Sequence, residues 1–112
     1  MDPYTLQTKY QGDYAVGDLA STGVPKAGVY ARGAARNVAA NIIAGLRGAA
    51  QIARNSGAGS CYTEFGAGRI GRVGVDFLSG PKPFGTWHGA SEAFREDKAL
   101  FGSSRRARWF GR

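Results

Sequence analysis

Few residues in this 112-residue chain have a type and spacing that could do chemistry. Cys61 is the one cysteine, so an intrachain disulfide and a tetrahedral cysteine zinc site are both excluded. Alternating residues surround it, which predicts a small core residue of a strand and not a reactive thiol. His88, the one histidine, has no Cys, Asp or Glu at ligand spacing and reads as a loop residue with no metal role. Ser91 and Asp97 follow it, but a helix cap and a charged face account for them, so no nucleophile, base and acid set forms. Gly66, Gly68 and Gly71 satisfy GxGxxG after a predicted strand. A dinucleotide fingerprint needs a helix to begin there, whose amides hold the pyrophosphate. Val73, Val75 and Phe77 alternate instead, so the glycines belong to a hairpin. The remaining pair is Gly17-Asp18, at the end of YAVGD. Glycine lets backbone pass close to a ligand, and a carboxylate at a strand end can accept hydrogen bonds from sugar-like hydroxyls.

These residues need elements to position them. Tyr14, Ala15 and Val16 form a short apolar run stopped by Gly17, which predicts a short buried strand and then a loop through ASTGVPKAG. From Ala27 to Arg47, residues Ala31, Ala34, Ala35, Val38, Ile42 and Leu46 recur at helical spacing, with Arg32, Arg36 and Arg47 on the other side. Pro25 ahead and Gly48 behind delimit that helix. Ala49–Gly59 reads as weakly helical and then as a connector. Cys61–Phe65 and Ile70–Phe77 read as a hairpin, and Ser79–Gly89 as a loop with Phe84 and Trp87 as aromatic anchors. A final helix from Ser91 has acids in its first turns and cations at its far end, favourable at both poles of its dipole. Gly102 is a candidate break in it. The fold class is α+β: one short strand, a long Ala-rich helix, a two- or three-stranded antiparallel sheet and a C-terminal helix.

Composition narrows the function classes. A chain of this length holds at most one small domain's core and no two-cofactor enzyme. Eighteen glycines imply many turns. The net charge of +7 suits a phosphate-bearing partner. Lys and Arg are scattered, however, and only Arg105, Arg106, Arg108 and Arg112 approach a cluster. The start MDPYTLQTKYQGD has neither the basic nor the apolar region of a signal peptide, and no stretch is long enough to span a bilayer. Localisation is therefore open.

The stretch TKYQGDYAVGDLASTGVPKAG resembles the second FAD-contacting motif of the pyridine nucleotide-disulfide oxidoreductase superfamily, where a short strand ends in Gly-Asp. Its continuation, VPKAGVYARGAARNVAANI, is similar to the loop and helix of the sulfide:quinone oxidoreductase and flavocytochrome c sulfide dehydrogenase branch. The segments SCYTEFGAGRIGRVGVDFLSGPKPFGTWHG and EDKALFGSSRRARWFG resemble that family's C-terminal sheet and closing helix. Nearly the whole chain takes part, all of it matching the family's last third.

The resemblance implies that Gly17 and Asp18 hold the FAD ribityl chain. It further implies that Lys26, Ala27 and Gly28 lie on the flavin side, where a helix N-terminus favours negative charge on the reduced pyrimidine. Residues 1–48 would end the FAD-binding domain and residues 49–112 would form a sheet and helix interface domain. The first GxGxxG, the second nucleotide domain and the redox cysteines would lie outside this chain, so it would carry a partial FAD site, no catalytic residue and no metal. No cysteine occurs in LASTGVPK, where the family places one, so sulfide as substrate does not follow. A quinone or membrane interface near RRARWFGR is implied for the parent. The first strand, left at an unpaired edge, predicts self-association or marginal stability. The alternative is a small basic nucleic-acid-binding protein, with RRARWFGR stacking on bases; resemblance over nearly the full length favours the flavoprotein reading.

Overall fold

The computed structural model describes residues 1–51 and 53–111. A 3-10 turn at Gly17–Leu19 is followed by α1 (Gly28–Leu46), β1 (Gly59–Glu64), β2 (Ile70–Asp76), β3 (Phe84–Ser91) and α2 (Phe94–Phe110). The strands form one antiparallel sheet in the order β1-β2-β3, so the α+β class is as expected. The chain divides into two compact units, one of Met1–Gly59 with Val75–Phe84 and one of Ser60–Gly74 with Gly85–Arg112.

In the first unit, the strand expected at Tyr14–Val16 reduces to a single antiparallel bridge between Gln7 and Tyr14. Gly12, at φ +85, reverses the chain, and the Thr8 amide donates to the Asp13 carbonyl at 2.8 Å. Tyr14 thus pairs with its own upstream neighbour, and Gly17, at φ +78, turns the chain into the 3-10 helix at once. The unpaired strand edge expected here does not arise.

Helix α1 begins and ends where Pro25 and Gly48 predict. At its end the Ala49 amide donates to Ala44 O and the Gly48 amide to Gly45 O, with Gly48 at φ +69, a Schellman close. Its buried residues are Tyr30, Ala34, Val38 and Asn41. Ala34 and Val38 pack on Leu6, with half-buried Tyr14 and Val16 alongside. The expected apolar face is therefore rotated: Ala34 and Val38 belong to it, whereas Ile42 and Ile43 are exposed and Leu46 is 84% exposed. The core against this helix is supplied by the short N-terminal loop, which reaches Ala34 and Val38 but not the last turn.

The weak helix expected after Ala49 is absent among the described residues; 53–58 is a connector without regular secondary structure, held by asparagines. The Asn41 side chain, 1% exposed, donates to Ala53 O at 2.9 Å and accepts from the Ala53 amide at 3.0 Å. Asn37 donates to Arg54 O at 3.1 Å. Asn55 donates from its amide to Tyr4 O at 2.7 Å and from Nδ2 to Pro3 O at 3.2 Å. Gly57, at φ +64, lies where an added Cβ would meet Val24, Phe77 and Leu78 at 3.0–3.2 Å. The connector is thus as firmly bonded as a strand.

In the second unit, Gly66, Ala67 and Gly68 take positive φ, and the Phe65 amide donates to Arg69 O at 3.0 Å. The GxGxxG glycines therefore belong to a hairpin, with Gly71 inside β2. The loop expected over Ser79–Gly89 is corrected, because β3 occupies Phe84–Ser91. Pro81 and Pro83 precede the strand and interrupt no ladder. Pairing with β2 overrides its Gly-rich composition. Trp87 lies edge-on to Phe65, and both rings cover Gly71.

Helix α2 starts later than Ser91, at Phe94, and its N-cap position is Ala93; Ser91 Oγ still accepts the Ala93 amide at 3.1 Å. Gly102 does not break it. Tyr62 packs on Phe101, and the Arg105 guanidinium lies 3.5 Å from the Phe101 ring centre. Lys98 pairs with Glu64, and Arg72 with Asp97 at 3.7 Å.

Candidate functional site

Within the first unit, Gly17, Asp18, Lys26 and Ala27 line one shallow depression, together with Ala20 and Tyr30. Two local features bring them together. The left-handed Gly17 bends the chain into the 3-10 turn, which packs on α1. The loop then returns through Val24, which is buried, so that Lys26 and Ala27 arrive at the helix start. Gly28 opens the helix but does not line the depression.

The polar groups there are unevenly engaged. Asp18 is exposed, and its carboxylate has no hydrogen bond or ion pair among the described residues. Ala27 caps α1 without a side-chain bond, and no acid lies in the first turn. The Tyr30 and Ala31 amides both turn back to Ala27 O, at 3.0 and 3.1 Å. The Gly28 and Val29 amides have no acceptor among the described residues, and they carry the positive end of a 19-residue helix. Lys26 Nζ donates to Ala20 O, which closes the loop on itself. Its charge is therefore held at the rim.

An added Cβ at Gly17 would meet nothing within 4 Å. Glycine is required there by its backbone angle and not by close packing. The depression itself encloses about 20 Å³, room for one water. A larger ligand would lie across its mouth.

The remaining candidates are dispersed. Cys61 is a half-buried residue of β1 and His88 an exposed residue of β3, both in the second unit. No group of three His, Cys, Asp or Glu side chains that could hold a metal occurs among the described residues. No helix among them is long and apolar enough to cross a membrane. Trp109 and Phe110, near the end of α2, are exposed.

Sequence reasoning passed over Asn37, Asn41 and Asn55, which fix the connector beside the depression. The available sign was a pair of asparagines four apart on a helix otherwise rich in alanine. Compared with protein-family models, curated proteins and solved structures, the chain matches none.

Proposed function

We propose that this chain is the C-terminal portion of an FAD/NAD(P)-dependent oxidoreductase of the sulfide:quinone oxidoreductase-like kind, contributing the ribityl and flavin-ring side of the FAD site. The observation that carries the reading is the gathering of Gly17, Asp18, Lys26 and Ala27 around one depression at the start of α1. Their chemistry fits that half of the cofactor. Asp18 offers an unengaged carboxylate to hydroxyl donors, and Ala27 sets the depression at the start of α1, whose dipole offers positive potential to an electron-rich ring edge. Lys26, held on the Ala20 carbonyl, adds a full positive charge at the same rim. Bound flavin supplies hydride chemistry that no side chain can.

The depression offers nothing that would seat an adenine. On this reading the chain is not catalytic alone, and the remaining parts of the site come from other domains of the parent. The bare Ile42, Ile43 and Leu46 at the end of α1 suit such a covering. No cysteine precedes Lys26 in LASTGVPK, so the reading assigns no sulfide chemistry.

Riboflavin titration followed by fluorescence quenching tests the proposal. Binding is expected in the millimolar range, near −4 kcal/mol, and Asp18→Asn is expected to weaken it severalfold without unfolding the chain. Equal binding by Asp18→Asn and the wild-type chain overturns the reading. Retention of reducible flavin at near one per chain through purification overturns its claim that the site is partial.

The nucleic-acid alternative draws on the exposed Arg106, Arg108, Trp109 and Phe110 of α2. It requires binding that falls steeply with salt. Glu96 and Asp97 in the first turn of the same helix oppose a phosphate backbone running along it, so the flavin reading is preferred.

A further inference from the structure

A larger groove of about 430 Å³ lies in the same unit, between α1 and the connector. On the helix side, Gly33, Arg36, Asn37 and Ala40 fall at the spacing of one face, and Arg54 and Ser56 face them from the connector. Gly33 and Ala40 contribute almost no bulk, which leaves the space open. Its size is that of a small-molecule site.

The chemistry of the lining has one sign. No carboxylate lines the groove. Arg36 is exposed and forms no ion pair among the described residues. Arg54 stacks on the Tyr4 ring at 4.6 Å, a contact that orients a guanidinium and leaves its edge donors available. Asp2 is near enough for Arg54 to help keep its carboxyl low, but the two do not pair. Ser56 Oγ accepts the Ala58 amide at 3.2 Å, so its own proton remains to donate. Asn37 uses Nδ2 on Arg54 O and keeps a second amide hydrogen.

These donors stand on rigid supports. The Arg54 carbonyl is held by Asn37, the Asn55 amide by Tyr4 O and the Ser56 carbonyl by the Leu78 amide at 3.0 Å. Ordering them for a ligand therefore costs little chain entropy.

We propose that this groove binds a phosphate group, with Arg36 and Arg54 as the charged donors and Ser56 as a neutral one. The phosphate belongs either to a free small phosphorylated molecule or to the diphosphate of a dinucleotide. Guanidinium forks match phosphate geometry, and two arginines lining one groove from fixed backbone distinguish this site from scattered surface cations. The proposal does not rest on the flavin reading, because inorganic pyrophosphate alone probes it and riboflavin carries no phosphate.

The test uses the full chain at fixed salt, titrated with inorganic pyrophosphate, FAD and riboflavin. Calorimetry reads affinity and amide chemical shifts read location. Pyrophosphate is expected to move the amides of 33–40 and 54–58. Arg36→Gln and Arg54→Gln are each expected to weaken it about tenfold, the loss of one charge-assisted contact. Arg36 is exposed on the helix, so its variant keeps the fold if the Arg54 variant does not. A parallel loss for FAD but not riboflavin assigns the phosphate to a dinucleotide; a loss for pyrophosphate alone assigns it to a free ligand. Absence of pyrophosphate binding overturns the proposal, as does an equal loss in Arg106→Gln, which would mean undirected charge attraction.

Discussion

Replacing Asn41 by alanine removes a side chain that stands in for a strand partner. Its amide makes both bonds of the Ala53 peptide groups, at 2.9 and 3.0 Å, from a position 1% exposed. Each backbone group left without a partner costs about 1–3 kcal/mol when buried. Ala53 is half-buried, so the lower half of that range applies to each. Alanine's better helix propensity returns about 0.5 kcal/mol. The net expectation is a loss of about 1.5–3.5 kcal/mol, a large share of a small domain's stability. Urea unfolding followed by circular dichroism would register it as a midpoint lowered by about 1–2 M with unchanged slope. Asn37→Ala, which loses one exposed bond, should cost under about 1 kcal/mol. Asn41→Leu separates bonding from packing, since it keeps the branched shape and removes both bonds. If Asn41→Leu matches wild type, or Asn41→Ala falls within about 0.5 kcal/mol of it, the clamp does not hold the connector.

The other predictions concern packing, pH and association. Gly71→Ala crowds the outer edges of the Trp87 and Phe65 rings, both more than half exposed and able to swing aside, and should shift tryptophan emission at a cost under about 1 kcal/mol; Gly74→Ala, whose nearest neighbour is His88 at 3.4 Å, should leave that emission unchanged. The Thr5 amide holds the Asp2 carboxyl below its ordinary range, the Ser79 amide does the same for Asp76, and Lys98 for Glu64. Depressed folded values mean stability that is present above the unfolded carboxylate range and lost as pH falls through the folded values, so the urea midpoint should drop below about pH 4. Asp76→Asn should flatten that drop, and an unaltered profile would remove Asp76 from the account. We also expect the chain to self-associate through Ile42, Ile43 and Leu46, which are exposed together at the end of α1. Sedimentation should show a concentration-dependent species that Leu46→Glu reduces, and a cooperatively unfolding wild-type monomer at all concentrations argues against it.

The parts of the fold legible in the sequence are those governed by local pattern. Helix α1 follows from Pro25, Gly48 and a run of small residues at helical spacing, and the β1-β2 hairpin from alternation around Gly66 and Gly68. Strand β3 was illegible because Pro81, Pro83 and Gly85 mark a loop by composition, while pairing with β2 decides its conformation. The buried face of α1 was misplaced for a related reason: Ile42 and Leu46 are apolar, but the element that reaches the helix is the Leu6 loop, and it stops short of them. At the candidate depression, Gly17 and Asp18 could be singled out from a five-residue string. The Lys26 contact with Ala20 and the asparagine clamp depend on how the loop and connector return, which local pattern does not encode.

The division of the chain also bears on how it can be made. Neither compact unit is a continuous stretch: the first closes only when 75–84 joins 1–59, and the second when 85–112 joins 60–74. During vectorial synthesis the Leu6 core, the asparagine clamp and α1 can form early, yet Phe77 and Leu78 arrive only after the whole β1-β2 hairpin has emerged. The first unit is thus finished late, through contacts distant in sequence, and such closures are slow. No single cut of the polypeptide separates the units, so excision by truncation yields two incomplete pieces.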